Sequence, residues 1–375
     1  MDVLITFSEE DCKKLELTMG AKAKLNRGIA DYKRKMNPDT KMFQLQNNQT
    51  VDENYVEEVR KLLLNINKTD TTNNVVFIQI ENLEFIAELG RGSSGSVWKG
   101  HLFMETNHEE KRIEVAIKTL MNTDAQFLDE FLKEFKVLNS IQSKNVVQLF
   151  GVCIKPSLRL VMEYCALGSL YHVLSSSKTT FKMDWSFLFS MCKQTVEGLD
   201  ALHSHQPQIL HRDLKTLNLL ITQEMVVKVA DFGLSLDSTA QSIDLKEQRG
   251  TSCYMPPELF HGEKYNPKSD IYSLGIILWE LVYRVINGKY QRPFLEFDSV
   301  RGKDLLVIIQ AANDNLRPTI PPKAPEVIKA LITSCYQGAP DLRPSAKEVF
   351  QILCQAEEEY TQHKEQWDYL LPLPQ

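Results

Sequence analysis

The sequence predicts an α+β chain of two unequal lobes, on three observations. Short β-type runs crowd residues 75 to 163, helical periodicity prevails beyond Gly168, and no internal repeat or low-complexity tract points to another architecture. A compact chain of 375 residues buries roughly three quarters of the surface its unfolded form exposes, so a sizeable core needs no metal or disulfide staples. At 43% hydrophobic and 25% charged residues, the composition excludes a wholly disordered, collagen-like or membrane-spanning chain. No apolar run approaches the ~18 residues that would cross a bilayer. A net charge of −6 leaves no general basic footprint, so no nucleic-acid partner is expected. Seven cysteines, odd in number and without a C-x-x-C pair, read as reduced, buried thiols of a cytoplasmic protein. The N-terminus turns acidic at Glu9 with no positive stretch before it, so no secretory signal is expected.

Taken in order, residues 1–74 read as a helical extension. Ser8 with Asp11 can cap a first helix carrying Leu15, Leu25, Ile29, Tyr32 and Met36, which Gly20 and Gly28 weaken. Tyr55, Val59, Leu62 and Ile66 recur at helical spacing and predict a second, followed by a polar linker from Asn67 to Asn74. Lys22, Lys24, Arg27, Lys33, Arg34 and Lys35 form a basic cluster that reads first as a solvated face and otherwise as a contact for a regulatory partner or anionic lipid. The main domain follows at 75–360, with a small lobe to 163, a large lobe from 164 and a tail at 361–375. Strands are predicted at Val75–Ile80, Phe85–Leu89, Ser96–Gly100, Ile113–Leu120, Val146–Val152 and Leu158–Glu163. Helices are predicted near Asp124–Ser140, Phe187–Ser204, Ile271–Val285, Asp304–Ala312 and Glu326–Cys335.

The chemistry begins at GRGSSGSV, residues 90–97, a G-x-G-x-x-G-x-V string that dinucleotide-binding turns share. A dinucleotide turn opens into a helix. Here Ser96 to Gly100 continue in β character, giving strand, glycine-rich flap and strand, whose backbone can close over a polyphosphate. Lys118 ends the VAIK run of the next strand, where an ammonium can hold α and β phosphates rather than merely solvate a surface. It needs a carboxylate to fix it, and Glu134 on the following helix supplies one, Asp129 and Glu130 lying elsewhere around the turn. In HRDLKTLN, Asp213 can orient an acceptor hydroxyl and take its proton, and Asn218 together with Asp231 of DFG offers hard oxygen ligands suited to Mg²⁺.

With these residues in hand, the sequence resembles the eukaryotic-type protein kinase family from about Ile80 to Glu357. The matching strings are GRGSSGSV, VAIK, FLKE, LVMEY, HRDLKTLN, DFG, YMPPE, DIYSLGIILWE and DLRP, in the family's order. The resemblance implies the bilobed protein kinase fold, ATP and Mg²⁺ as cofactors, and protein substrates. It implies nucleotide contacts from Leu89, Gly90, Arg91, Gly92, Ser93, Ser94, Gly95, Ser96, Val97, Ala116, Lys118, Met162 as gatekeeper, the hinge Glu163, Tyr164 and Cys165, and Leu220. It further implies a spine of Leu138, Leu149, His211 and Phe232 anchored by Asp270, which also reads as plain core, and a Glu258–Arg343 pair in the lower lobe. Lys215, with Gly250-Thr251 before Tyr254, looks like the serine/threonine pattern, in which Lys215 and Thr251 contact Asp213. LVMEYCALGSL and DIYSLGIILWE are similar to the tyrosine-kinase-like branch, most of which is serine/threonine-specific.

The alternatives are a tyrosine or dual-specificity kinase and a pseudokinase scaffold. The scaffold is disfavoured by the intact set Lys118, Glu134, Asp213, Asn218 and Asp231. Two departures stand out: Pro256 in place of alanine, and a long polar connection from Tyr283 to Gly302 that reads as a solvated loop or a docking site. Residues 231–258 span the implied activation segment, whose hydroxyls Ser235, Ser238, Thr239, Ser242, Thr251 and Ser252 are candidates for phosphorylation, with Arg212 placed to pair with a phosphate.

Overall fold

The computed structural model describes residues 53–70, 75–92, 95–106, 109–120, 125–176, 181–237 and 252–372. The predicted helix within residues 8–36 and the basic cluster lie outside the described residues. Helix α1 (Glu53–Asp70) comes first, and the small lobe follows. Strands β1 (Leu83–Arg91), β2 (Gly95–Thr106) and β3 (Glu109–Leu120) form a meander, helix α2 (Ala125–Ser140) crosses over, and β4 (Leu149–Cys153) and β5 (Arg159–Glu163) complete the sheet. The sheet is antiparallel throughout, with strand order β1-β2-β3-β5-β4.

Because side chains alternate along a strand, β3 serves two purposes. Val115 and Ile117 are fully buried on one face with Leu102, Cys153 and Val161. Ala116 and Lys118 turn to the other face, toward the large lobe. The expected strand at Val75–Ile80 is reduced to an isolated parallel bridge, Phe77 to Val152, secured by hydrogen bonds from Ile78 N to Val152 O and from Val152 N to Val76 O. The buried stripe of α1 is Val56, Val59 and Leu63, flanked by the partly buried Tyr55 and Ile66; of the predicted positions Leu62 alone is exposed, Leu63 taking its place. Leu62, Leu63 and Leu64 are consecutive, so helical spacing alone could not decide which of them faces inward.

The large lobe contains β6 (Gly168–Ser169), α3 (Leu170–Ser175), α4 (Trp185–His203), β7 (Ile209–Leu210), β8 (Leu219–Ile221), β9 (Val227–Val229) and β10 (Leu236–Asp237). Helices α5 (Pro257–Phe260), α6 (Pro267–Asn287), α7 (Asp304–Asn313), α8 (Glu326–Cys335), α9 (Ala346–Gln362) and α10 (Lys364–Asp368) follow. Helix α6 is the axis of this lobe. Asn266 caps it reciprocally with Ser269, Pro267 occupies its first turn, and Gly288 ends it in the left-handed conformation at φ 68°. It is apolar nearly all round, as a helix surrounded by protein must be, and Ile271 to Leu281 are buried without a break. The α+β fold of two lobes expected from the sequence is the one observed.

Two stretches pack more closely than the sequence reading expects. Within the tail expected at 361–375, the described residues to 372 fold back onto the lobe: Trp367 is buried, its ring meets Trp185 edge-on at 5.0 Å, and its carbonyl accepts the Trp185 indole N–H at 2.8 Å. The connection from Tyr283 to Gly302 is not simply a solvated loop. Phe294 and Val300 are buried in it, and the Tyr290 hydroxyl donates to Glu280 at 2.7 Å.

Candidate active site

Sheet register assembles the upper wall of the site. Val97 pairs with Lys118 and Ala116 with Met162, and cross-strand partners share a face, so these four side chains line one surface of the sheet. A Cβ at Gly90 or Gly92 would meet nothing within 4 Å, so open space lies beside both glycines. Gly95 has a different role, since a Cβ there would lie 2.2 Å from the Thr119 carbonyl oxygen and force β2 off β3. Lys118 Nζ donates to both Glu134 carboxylate oxygens, at 2.8 and 2.6 Å, and lies 3.3 Å from Asp231 Oδ1.

The lower wall is a loop pinned from beneath. Asp270, fully buried in the first turn of α6, accepts from the backbone N–H groups of His211 and Arg212 at 3.0 Å each, and also holds His203 and Tyr265. Arg212 and Asp231 both take positive φ, 69° and 67°, a conformation costly for side-chain-bearing residues that persists where surrounding bonds over-determine it. Lys215 Nζ donates to Asp213 Oδ2 at 2.6 Å. Asn218 Nδ2 donates to the Asp213 carbonyl at 2.8 Å and to its carboxylate at 3.1 Å, which commits the amide nitrogen and leaves the oxygen as the donor a cation would take. Phe232 is fully buried with its ring 5.3 Å from that of His211.

Residues 83–353 match the family described as protein tyrosine and serine/threonine kinase. This chain belongs to that family. Among curated relatives, it is similar to stress-activated protein kinase alpha of Dictyostelium discoideum, 42% identical over 303 residues, or 80% of this chain and 46% of that one. It is 39% identical over 322 residues to the same organism's ankyrin repeat-containing protein kinase A, covering 84% of this chain and 21% of the relative. A probable serine/threonine-protein kinase from that organism is 42% identical over 298 residues, 78% of this chain and 34% of its own. The chain thus spans less than half the length of these relatives.

In this kinase domain the electrostatics follow from burial and pairing. Burial works against the Lys118 ammonium, but the charges of Glu134 and Asp231 outweigh it and hold the group protonated well above the ordinary lysine range. The Lys118 charge in turn draws the Asp231 carboxyl below its usual value. Burial pushes the Asp213 carboxyl up, and Lys215 pulls it back. Burial also opposes the Asp270 carboxylate, yet the hydrogen bond shared with His203 keeps it below the ordinary range. Among the described residues, no group of three His, Cys, Asp or Glu side chains could hold a metal alone. A kinase domain implies ATP and a divalent metal, and two hard oxygen donors plus phosphate oxygens suit a cation shared with the nucleotide.

Among the residues expected to contact the nucleotide, several have side chains engaged elsewhere. Ser96 is on the opposite face of β2 from Val97, buried, and its Oγ accepts the Trp98 indole N–H at 3.0 Å, so its side chain is spent away from the phosphates. Arg91 is turned outward onto Glu88 at 2.8 Å, and Glu163 binds Lys228 at 2.8 Å through its side chain. Cys165 is buried, which pushes its thiol up to about 12, and Leu89 is half exposed at the rim. Leu220 pairs with Lys228 in the β8–β9 ladder of the large lobe. Ser93, Ser94 and Thr251 lie outside the described residues, as do Ser238, Thr239 and Ser242. Ser235 is corrected as a phosphorylation candidate, because its hydroxyl is buried and donates to the His211 carbonyl at 3.1 Å.

Sequence reasoning missed a buried network beneath the loop of residues 211–218. Glu280, fully buried in α6, accepts from Tyr254 and Tyr290 at 2.7 Å each and from Thr216 at 3.3 Å. A lone acid inside the apolar run IILWELV was the available signal. Burial pushes its carboxyl from 4.5 up to about 7, against the pull of those donors. The folded state therefore binds a proton that the unfolded state releases between these values, so this group's contribution is full at low pH and is lost as pH rises through about 7. Glu280→Gln is expected to flatten the fall in stability between about pH 5 and pH 8, by at most about 3 kcal/mol. Melting curves of both proteins across that range check this, and parallel curves would refute it.

Proposed function

We infer that the protein is an ATP-dependent protein kinase that transfers the γ-phosphate to serine and threonine hydroxyls of protein substrates. Convergence carries the reading: Lys118 touches Glu134 on another element and Asp231 far along the chain, opposite a loop on which Lys215 and Asn218 both grip Asp213. Phosphoryl transfer asks a protein chiefly to position reactants and neutralise charge, and these side chains answer both needs. Lys118, fixed by Glu134, holds α and β phosphates beneath the flap. Asp213 orients the acceptor hydroxyl and takes its proton as the oxygen bonds to the γ-phosphorus and the bond to the β,γ-bridging oxygen breaks, with ADP as the other product. Mg²⁺ held by Asn218 and Asp231 would offset phosphate charge. Lys215, 2.6 Å from Asp213, supports serine/threonine rather than tyrosine specificity, as do the names of the relatives. The strings LVMEYCALGSL and DIYSLGIILWE support the tyrosine-kinase-like branch. The unpaired thiols Cys153, Cys165, Cys192, Cys253 and Cys335, all buried, support a reducing, cytoplasmic setting.

The deciding assay incubates full chain, Mg²⁺, γ-labelled ATP and a generic basic protein, followed by phosphoamino-acid analysis. Phosphoserine and phosphothreonine that vanish in Asp213→Asn are expected. Phosphotyrosine would select the tyrosine reading, and equal background labelling in both proteins would select the scaffold.

A further inference from the structure

We propose that α1 is a built-in brace for α2, and that Val56, Val59 and Leu63 are positioning residues that act through α2 to keep Glu134 at Lys118. The helix is divided by face. Val56, Val59 and Leu63 are 6%, 1% and 0% exposed, whereas Glu57, Glu58, Arg60 and Lys61 are turned to water. Its inward stripe packs on α2 and joins the same continuous apolar cluster as Phe131, Phe135 and Leu138. Glu134 lies among those three residues in the α2 sequence, so whatever fixes their side of the helix fixes the carboxylate. Further contacts tie the brace to the sheet. Glu53 pairs with Lys155 at 2.6 Å, and the Arg60 guanidinium lies 5.0 Å from the centre of the Phe77 ring, which is itself bridged to β4 through Val152.

Helix α2 needs such support. Within its described residues, Ala125–Ser140, it has no acidic residue in the first turn and no basic residue in the last, so its stability rests on the packing of Phe131, Phe135 and Leu138. Glu134 is also buried, with 4% exposure, and burial pushes its carboxyl up against the pull of Lys118. A charged carboxylate in that place gains hydration if α2 swings outward, so the outward state is the natural competitor. A face of α1 that fits α2 only in its inward position shifts the balance by its differential contact with the two states.

The inference rests on the phosphotransfer reading, and the experiment reads the two separately. In the full chain, kcat, ATP KM and amide exchange across residues 131–138 are measured for Val59→Ala/Leu63→Ala, with Leu62→Ala and Leu64→Ala as controls from the exposed face of the same helix. The double variant is expected to lose about tenfold or more in kcat with a smaller change in KM, as a tenfold fall in the competent population requires, and to exchange faster in α2. The controls keep wild-type values, and Leu63→Met beside Val59 restores the rate. Retention of kcat within about twofold while only the melting temperature falls would overturn the brace, because a merely structural helix alters stability without altering the population of Glu134 at Lys118. If the double variant does not fold, Val59→Ala and Leu63→Val are judged by the same ratio of kcat and exchange. A wild type with no phosphotransfer, yet with faster α2 exchange in the variants, would remove the enzymatic reading and leave the brace standing.

Discussion

Asp213→Asn is expected to lower kcat by about 10²- to 10⁴-fold, the span that general-base help supplies, with ATP KM nearly unchanged. The geometry isolates the effect. Asparagine keeps the shape of the side chain and an oxygen for Lys215 and Asn218, whose bonds to Asp213 are 2.6 and 3.1 Å, but it cannot accept the substrate proton. Burial raises the Asp213 carboxyl and Lys215 counters it, so the wild-type group must lose its proton before it can act and the rate falls as pH drops through that raised value. The residual rate of the variant lacks this acid limb. The asparagine keeps both hydrogen bonds but leaves the part-buried Lys215 ammonium without its counter-charge, so the melting temperature should fall modestly. Steady-state kinetics with melting curves check all three statements, and a kcat within about tenfold of wild type would remove Asp213 from the role of base.

The parts of this site that could be read from the sequence are those governed by local spacing. Glu134 could be separated from Asp129 because a helix turns them to different sides, and Asp129 indeed spends its charge on Lys133 four residues on, at 2.6 Å. Alternation along β2 and β3 likewise contains the shared face of Val97, Ala116 and Lys118. The same rule could have excluded the Ser96 side chain, since it is the neighbour of Val97 and must point the other way. What spacing cannot supply is a partner far along the chain. Trp185 meets Trp367 only because α9 returns across α4, which turns an apparent tail into part of the lobe. Tyr290 reaches Glu280 because the connection after α6 folds back on the helix that it leaves. The inward register of α1 depends on the shape of α2, which three consecutive leucines leave undetermined.

Arg343→Ala is expected to destabilise the large lobe by about 3–5 kcal/mol, a large share of the roughly 5–15 kcal/mol that holds a domain folded. Arg343 and Glu258 are both essentially inaccessible, at 0% and 1% side-chain exposure, and form a bidentate pair at 2.8 and 2.7 Å. Every other donor direction of the guanidinium is also taken, by the carbonyls of Gln337, Lys268 and Gly338 at 2.8, 2.9 and 3.1 Å. Alanine would therefore strand a buried carboxylate and three carbonyls together, and lysine could not replace the planar fork. Replacing both partners, as in Glu258→Leu/Arg343→Met, should be far milder, because the charge to be compensated leaves with its partner. Denaturant titration of the three proteins tests this ordering, and a loss below about 1 kcal/mol for Arg343→Ala would show that the pair adds little to stability. The effect should also reach catalysis. Glu258 stands in the first turn of α5, four residues after Tyr254, and Ser269 of α6 donates to it at 2.7 Å. Loss of Arg343 therefore loosens the anchor between α6, whose Asp270 holds the backbone of His211 and Arg212, and the segment that leads into α5. A partially folded Arg343→Ala protein should accordingly show a larger fall in kcat than its folded fraction explains.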